Sequence, residues 1–212
     1  MAARPTHKPN RRQVAAAATR REILLAARRL FAGGGYAATS MAAIAEEAGV
    51  SIPTLYASVG PKEAIVSALA ELIDEEIGGA GARQTIGKES DPTRLIAMPV
   101  HINRVLQERF GDILEALRSA AQIEPVVAEA MRRGNEMHRV GSTRVAARLH
   151  QLKALRKGVS ADEAAAVIGL LTAAECYAEL VGRYGWSFDR AEAWITATLR
   201  SRLLKSRRGE EL

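Results

Sequence analysis

Residues 39–65, TSMAAIAEEAGVSIPTLYASVGPKEAI, constrain this chain more than any other stretch. Met41, Ile44, Ala45 and Ala48 fall on one face of a 3.6-residue period, which predicts a short helix. Gly49 supplies the permissive backbone that ends it, Val50 anchors the turn, and Ser51 is placed to cap a second helix. That second helix has few inward positions, chiefly Leu55 and Val59. Ile52, Pro53, Thr54 and Tyr56 are left facing outward. A further helix starts after Gly60, with Pro61 suited to a first helical position. Two short helices joined by a tight turn, the second presenting its N-terminal end, form the helix-turn-helix arrangement that enters a DNA major groove.

Charge is distributed to match. Residues 1–62 carry nine Lys/Arg and three Asp/Glu, whereas residues 63–212 carry 21 of each. The whole basic excess therefore lies with the helix-turn-helix, as an electrostatic footprint for nucleic acid requires. Aromatic residues are only 4% of the chain while apolar residues reach 48%, with Ala and Leu prominent, a mix that favours helices. No apolar run is long enough for a membrane span, and the basic N-terminus lacks the apolar segment of a secretory signal. One cysteine, Cys176, allows no internal disulfide, so a reducing cytoplasm is the simplest compartment.

The rest of the chain reads as helix after helix. Residues 1–18 are expected to form a basic flexible arm, including Arg4, Lys8, Arg11 and Arg12. The Ala15–Ala18 run is able to extend the next helix backwards. Thr19 and Glu22 have capping-box spacing ahead of an apolar stripe at Ile23, Ala26, Ala27, Leu30 and Phe31, which Gly33–Gly35 ends, and Tyr36 is expected to pack back. Residues 19–62 then make the helix-turn-helix domain, 63–77 a connecting helix, and 78–212 a larger helical domain. Within that domain residues 78–92 read as a loop or hinge. Helices are expected over about 93–110, bent at Pro99, and over about 112–122. Others should run from Pro125 to about Gln151, from Ser160 to about Tyr184 and from about Arg190 to Leu204.

The order of elements and the motif together resemble the tetracycline-repressor (TetR) family of bacterial transcription regulators. LFAGGGY at 30–36 matches the family's phenylalanine-glycine-aromatic stretch. Thr39 and Ser40 match its threonine-rich helix start, Ile44, Ala45, Ala48, Gly49, Val50 and Ser51 its core, Thr54, Leu55 and Tyr56 its recognition segment, and Lys62 its helix-opening lysine. Pro53, Ser58 and Val59 depart from the pattern. The match is specific over about residues 20–75. It implies an all-α homodimer of about nine helices, with a three-helix head followed by a ligand-binding and dimerisation bundle. It also implies a palindromic DNA operator and a small-molecule effector.

On this reading the DNA-contacting residues are Thr39, Ser40, Ser51, Ile52, Pro53, Thr54, Tyr56, Lys62, Arg11 and Arg12. A lysine in a helix's first turn opposes the macrodipole, and a phosphate bound there would reverse the sign. The dimer surface is expected at Ala166, Gly169, Leu170, Ala173, Ala174, Tyr177 and Val181 of one helix and Trp194, Ile195 and Leu199 of the last. Met98, His101, Glu175 and Tyr177, polar or soft residues within apolar helical stretches, are the candidate lining of an effector pocket for a largely hydrophobic ligand. Catalytic and metal residues are not expected. His7, His101, His138 and His150 lack i,i+4 metal spacing, and there is no nucleophile elbow or dinucleotide fingerprint. No cofactor is called for. Two other functions stay open on sequence: an architectural or recombinase-type DNA-binding protein, and a helical interaction module without ligand control.

Overall fold

The computed structural model describes residues 11–205. Within them the chain is all-α. The helices are α1 (Arg11–Gly34), α2 (Met41–Glu47), α3 (Ile52–Val59), α4 (Lys62–Glu76), α5 (Gly79–Ile86), α6 (Pro92–Ala120), α7 (Pro125–Gln151), α8 (Ala161–Leu171), α9 (Ala174–Tyr177) and α10 (Phe188–Leu203). A π-helical turn, Ala178–Arg183, continues α9. The only extended pairing among the described residues is a single bridge between Leu155 and Leu204.

The chain divides into two compact units. One comprises the chain up to Ala70 with Ile113–Ala130; the other comprises Glu71–Asp112 and the chain from Met131 onward. In the first, α1 buries Ile23, Leu24, Ala26, Ala27 and Phe31, α2 buries Ile44 and Ala45, and α3 buries Leu55 and Val59. Tyr36 is buried after the α1 terminus, its ring 5.2 Å from that of Phe31. In the second, the core runs through Leu95, Ile96 and Val100 of α6, Val145, Ala146 and Leu149 of α7, Ile168 of α8, Tyr177, and Ile195 and Leu199 of α10. Each such large side chain contributes about 1.5–3 kcal/mol on burial.

Four sequence expectations are corrected here. Residues 11–18 are helical, not a flexible arm, because the Ala15–Ala18 run has the highest helix propensity available; Arg4, Lys8 and His7 lie outside the described residues. Thr19 is therefore mid-helix, and its hydroxyl donates back to the Ala15 carbonyl at 3.1 Å instead of capping. The 78–92 loop contains α5, whose Ile86 is buried in the second unit's core; tertiary burial outweighs the poor propensity of its glycines. α6 is one helix of 29 residues, passing through Pro99 and Gly111 without ending. Proline there removes one backbone hydrogen bond, and burial of Leu95, Ile96, Val100, Phe110, Ile113 and Leu117 along the helix outweighs that loss.

The helix expected over Ser160–Tyr184 also breaks, at Thr172–Ala173. The segments Ala161–Leu171 and Ala174–Arg183 are bent 45° from one another. The Ser160 cap, by contrast, lies where the sequence predicts, and a Ser187 cap starts the last helix two residues before the expected Arg190. Ser160 Oγ accepts from Glu163 N at 3.0 Å and opens α8, and Ser187 Oγ accepts from Arg190 N at 3.2 Å and opens α10.

Candidate nucleic-acid interface

Ser40 Oγ accepts from Ala43 N at 3.0 Å and starts α2. Gly49 (φ 65°) makes the left-handed turn that redirects the chain after α2, a conformation that a side chain would strain. Ser51 Oγ then accepts from Thr54 N at 3.2 Å and lies 2.7 Å from Thr54 Oγ1. Pro53 sits in the first turn of α3, where its missing N–H is one of the helix's unpaired donors in any case. With Leu55 wholly buried and Val59 nearly so, the opposite face of α3 is bare: Ile52 is 45% and Tyr56 48% exposed, and Ser51, Pro53 and Thr54 are exposed too. An apolar isoleucine left outward at a capped helix start suits contact with thymine methyls, and the Tyr56 hydroxyl suits a phosphate or base edge.

Two arginines absent from the sequence-based site hold α3 and α2 against α1. Arg20 of α1 donates from Nη1 to the Ser58 carbonyl at 2.8 Å, binding the C-terminal end of α3. Arg29 of α1 pairs with Glu47 of α2 at 2.8 Å. Neither contact has a local signature, since the partners are 38 and 18 residues apart. The site's geometry thus rests on α1, while its chemistry sits on α3.

Two of the expected DNA contacts are otherwise engaged. Thr39 is only 8% exposed, and its hydroxyl is directed at the carbonyls of Gly35 (2.9 Å) and Leu30 (3.3 Å), which takes it off the outer surface. Lys62 is not a bare solvated lysine. Its Nζ donates to the Ala37 carbonyl at 3.4 Å and lies 4.2 Å from the centre of the Tyr36 ring. Burial and then the Glu63 charge push the Tyr36 phenol above its ordinary pKa, so the ring stays neutral beneath the ammonium. Arg11 and Arg12 are exposed in the first turn of α1.

The expected effector residues do not converge in the second unit. Tyr177 is wholly buried, its hydroxyl donating to the Val100 carbonyl at 3.4 Å, and burial raises its pKa well above the usual phenol range. Met98 packs against the same core. His101 is instead exposed, its Nδ1 3.0 Å from Glu192 Oε1, and Glu175 is exposed as well. Burial pushes the Glu192 carboxyl up, but hydrogen bonds from Arg104 (2.6 Å) and His101 outweigh it and hold the group below the usual carboxylate range.

A polar knot that sequence reading missed pins the bend after α8. Asn103 Nδ2 donates to the Ala173 carbonyl at 3.1 Å, and Thr172 Oγ1 donates to the Ile168 carbonyl at 2.7 Å. His138 Nε2 is 2.9 Å from Thr172 Oγ1, and Ser142 Oγ donates to the His138 carbonyl at 3.0 Å. Asn103, Ser142 and Thr172 are each at most 5% exposed. One helical turn along α6 from Asn103, the buried Gln107 Nε2 has no hydrogen-bond partner among the described residues. Such polar residues carry no periodic signal; only their co-burial identifies them.

Burial lowers the His138 pKa from its ordinary 6.5 and outweighs the opposing influence of Glu175. The unfolded chain therefore takes up the proton first as pH falls, and stability drops below about pH 6.5 while staying level above it. Melting temperature measured from pH 8 to pH 5 should fall more steeply for the wild type than for His138→Gln; equal slopes would show that His138 does not contribute.

The expected dimer residues divide by burial. Ala166, Leu170 (71% exposed) and Trp194 (44% exposed) lie on the surface, and Gly169, Ala173, Ala174 and Val181 are half-buried. Tyr177, Ile195 and Leu199 are fully inside their own subunit's core, so they are unavailable to a partner. A groove of about 440 Å³ runs between α7 and α8, lined by His138, Ser142, Ala166, Gly169 and Leu170 among others.

A capped, half-bare α3 held by a basic α1 and preceded by the short α2 forms a helix-turn-helix head. Residues 23–69 match the model of the bacterial regulatory proteins of the tetR family. No curated protein matches it. Among solved structures it is similar to SmeT in complex with triclosan (TM-score 0.72, 22% identity, 89% of this chain and 93% of that one). It is also similar to NalD, the secondary repressor of the MexAB-OprM multidrug efflux pump in Pseudomonas aeruginosa (TM-score 0.70, 22% identity, 92% and 100%). A third is a gamma-butyrolactone receptor, an ArpA-like protein (TM-score 0.64, 17% identity, 90% of each chain). At these identities the likeness is one of fold.

Proposed function

We propose that this chain is a cytoplasmic, ligand-responsive transcriptional repressor that binds a palindromic operator as a homodimer and leaves it when a small, largely hydrophobic effector binds. The observation that carries the DNA reading is α3. Ser51 caps it, Leu55 and Val59 tether it, and Ile52, Pro53, Thr54 and Tyr56 face outward. Two-fold symmetry would place two such helices about 34–36 Å apart, or a multiple of that, on successive major grooves. Ser40, Ser51, Arg11, Arg12 and Lys62 supply phosphate contacts in this reading. Thr39 acts only through the turn it closes.

The effector reading is supported by the similarity to SmeT, solved with triclosan, and to an ArpA-like gamma-butyrolactone receptor. Within the chain it is supported by the apolar second unit and by Gln107, a buried amide donor without a partner on the α6 face that also carries Asn103. We place the effector against that face of α6, with Met98 and Tyr177 as neighbours and without His101 or Glu175. α4, α6 and α7 each run through a boundary between the two units, at Ala70/Glu71, Asp112/Ile113 and Ala130/Met131, and α4 is the one that follows the helix-turn-helix directly, so a shift in the bundle would reach the head along it. An ordinary coupling of about 1–3 kcal/mol between effector and DNA suffices.

The test is a gel shift on DNA flanking the gene, repeated over a range of salt. Lys62→Ala should weaken all sequences alike and reduce the salt slope by about one unit. An unchanged slope would assign Lys62 solely to the contacts with Tyr36 and Ala37. Hydrophobic compounds that raise the melting temperature should also release DNA. If every stabilising compound leaves DNA affinity unchanged, the ligand-release mechanism fails.

A further inference from the structure

At the end of α7, far along the chain from the helix-turn-helix, an open cleft of about 600 Å³ is lined by His150, Lys153, Arg156 and Lys205 together with Leu155 and Val159. Among the described residues, none that lines it is acidic. The cleft is built by main-chain pairing. Arg156 N donates to the Leu203 carbonyl at 2.8 Å and Lys205 N to the Ala154 carbonyl at 3.0 Å, which sets two distant chain segments side by side. Arg156 Nη1 donates to the Ser201 carbonyl at 2.7 Å, which fixes the direction of the guanidinium. His150, Lys153 and Lys205 form no ion pair with the described residues.

Lys153 is the informative residue. It closes α7, with its N–H on the His150 carbonyl and that of Ala154 on the Leu149 carbonyl, in the left-handed conformation at φ 53°. Every other described residue with positive φ is glycine, at six positions. A side chain in this conformation is disfavoured, so glycine would serve the turn better. Among the described residues, the chain keeps an ammonium at the one place where it costs backbone strain, and that place borders a cleft whose described lining has no acid. Complementing the α7 dipole does not account for this, because cations within the last turn do so without strain, and Arg156 and Lys205 come from other segments.

We propose that this cleft is a binding site for a small, multiply charged phosphate-bearing anion. Lys153, Arg156, Lys205 and His150 would hold the oxyanions, and Leu155 and Val159 would take any apolar part of the ligand. Arginine and lysine together offer a planar fork and two point charges, a combination suited to a chain of phosphates. The site is independent of the operator and effector readings above.

Calorimetric titration of the full chain with inorganic tripolyphosphate tests it. The wild type should bind, and Lys153→Gly should weaken binding about tenfold while raising the melting temperature by about 2–4 °C, because the substitution removes a charge and relieves strain together. Lys205→Gln should weaken binding similarly without the stabilisation. Lys157→Gln, an exposed neighbour outside the lining, should leave binding unchanged. The proposal is overturned if the wild type does not bind at millimolar tripolyphosphate, or if Lys157→Gln weakens binding as much as Lys153→Gly, which would mean diffuse surface charge. It is also overturned if Lys153→Gly lowers the melting temperature, or if the variants lose affinity for non-operator duplex DNA and keep it for tripolyphosphate.

Discussion

Leu170→Arg will yield a monomer that stays helical and binds operator DNA about 10²–10⁴-fold more weakly than the wild type. Leu170 is 71% exposed on α8, next to Gly169 and one turn from the exposed Ala166, so it is a large apolar side chain with no partner in its own subunit. Arginine in its place removes no core contact. It puts a charge where a second α8 would pack, and an unpaired buried charge is not tolerated. The loss in DNA affinity follows from valency, since a monomer has one recognition helix and forfeits the second half-site. Light scattering at micromolar concentration, with circular dichroism and a gel shift on the same sample, measures all three quantities. A variant that stays dimeric would move the interface away from the outer face of α8.

Leu55→Ala will destabilise the head by about 2–5 kcal/mol and abolish operator binding. α3 has eight residues and only two buried side chains, Leu55 and Val59. A helix this short is not stable in isolation. Its persistence depends on those two anchors, the Ser51 cap and the Arg20 bond to Ser58. Removing the larger anchor should expose the α3 amides to solvent hydrogen exchange, while core amides such as those of Ile168 and Ile195 keep their protection. Tyr56→Phe, by comparison, removes one exposed hydroxyl and should lower specific binding with no loss of protection. Wild-type exchange rates across α3 in Leu55→Ala would contradict the anchoring role.

The readings that were legible in the sequence share a short range. Ser40, Ser51 and Ser160 each bond a backbone N–H three residues on, and Gly35 and Gly49 each turn the chain at one position. Such interactions are complete within a few residues, so spacing alone reveals them. The alternation of Leu55 and Val59 against Ile52 and Tyr56 was legible for the same reason: on two turns of helix there is one way to bury an apolar face. The basic excess of residues 1–62 needed no structure at all.

The remainder was decided by burial between distant segments. α5 forms although its glycines oppose it, since Ile86 enters a core. α6 continues through Pro99 because its buried side chains outweigh one missing hydrogen bond. The phase of α8, α9 and α10 turned Tyr177, Ile195 and Leu199 inward and left Leu170 and Trp194 outside, and a run of apolar residues does not reveal which of its faces meets its own chain. Lys62 and His101 have suitable chemistry for a ligand, yet their partners Ala37 and Glu192 are set by where helices pack. Local bonds and propensities of about 0.5–1 kcal/mol start and stop helices. Side-chain burial at about 1.5–3 kcal/mol per residue decides which helices persist, which way they face and which polar groups remain for a ligand.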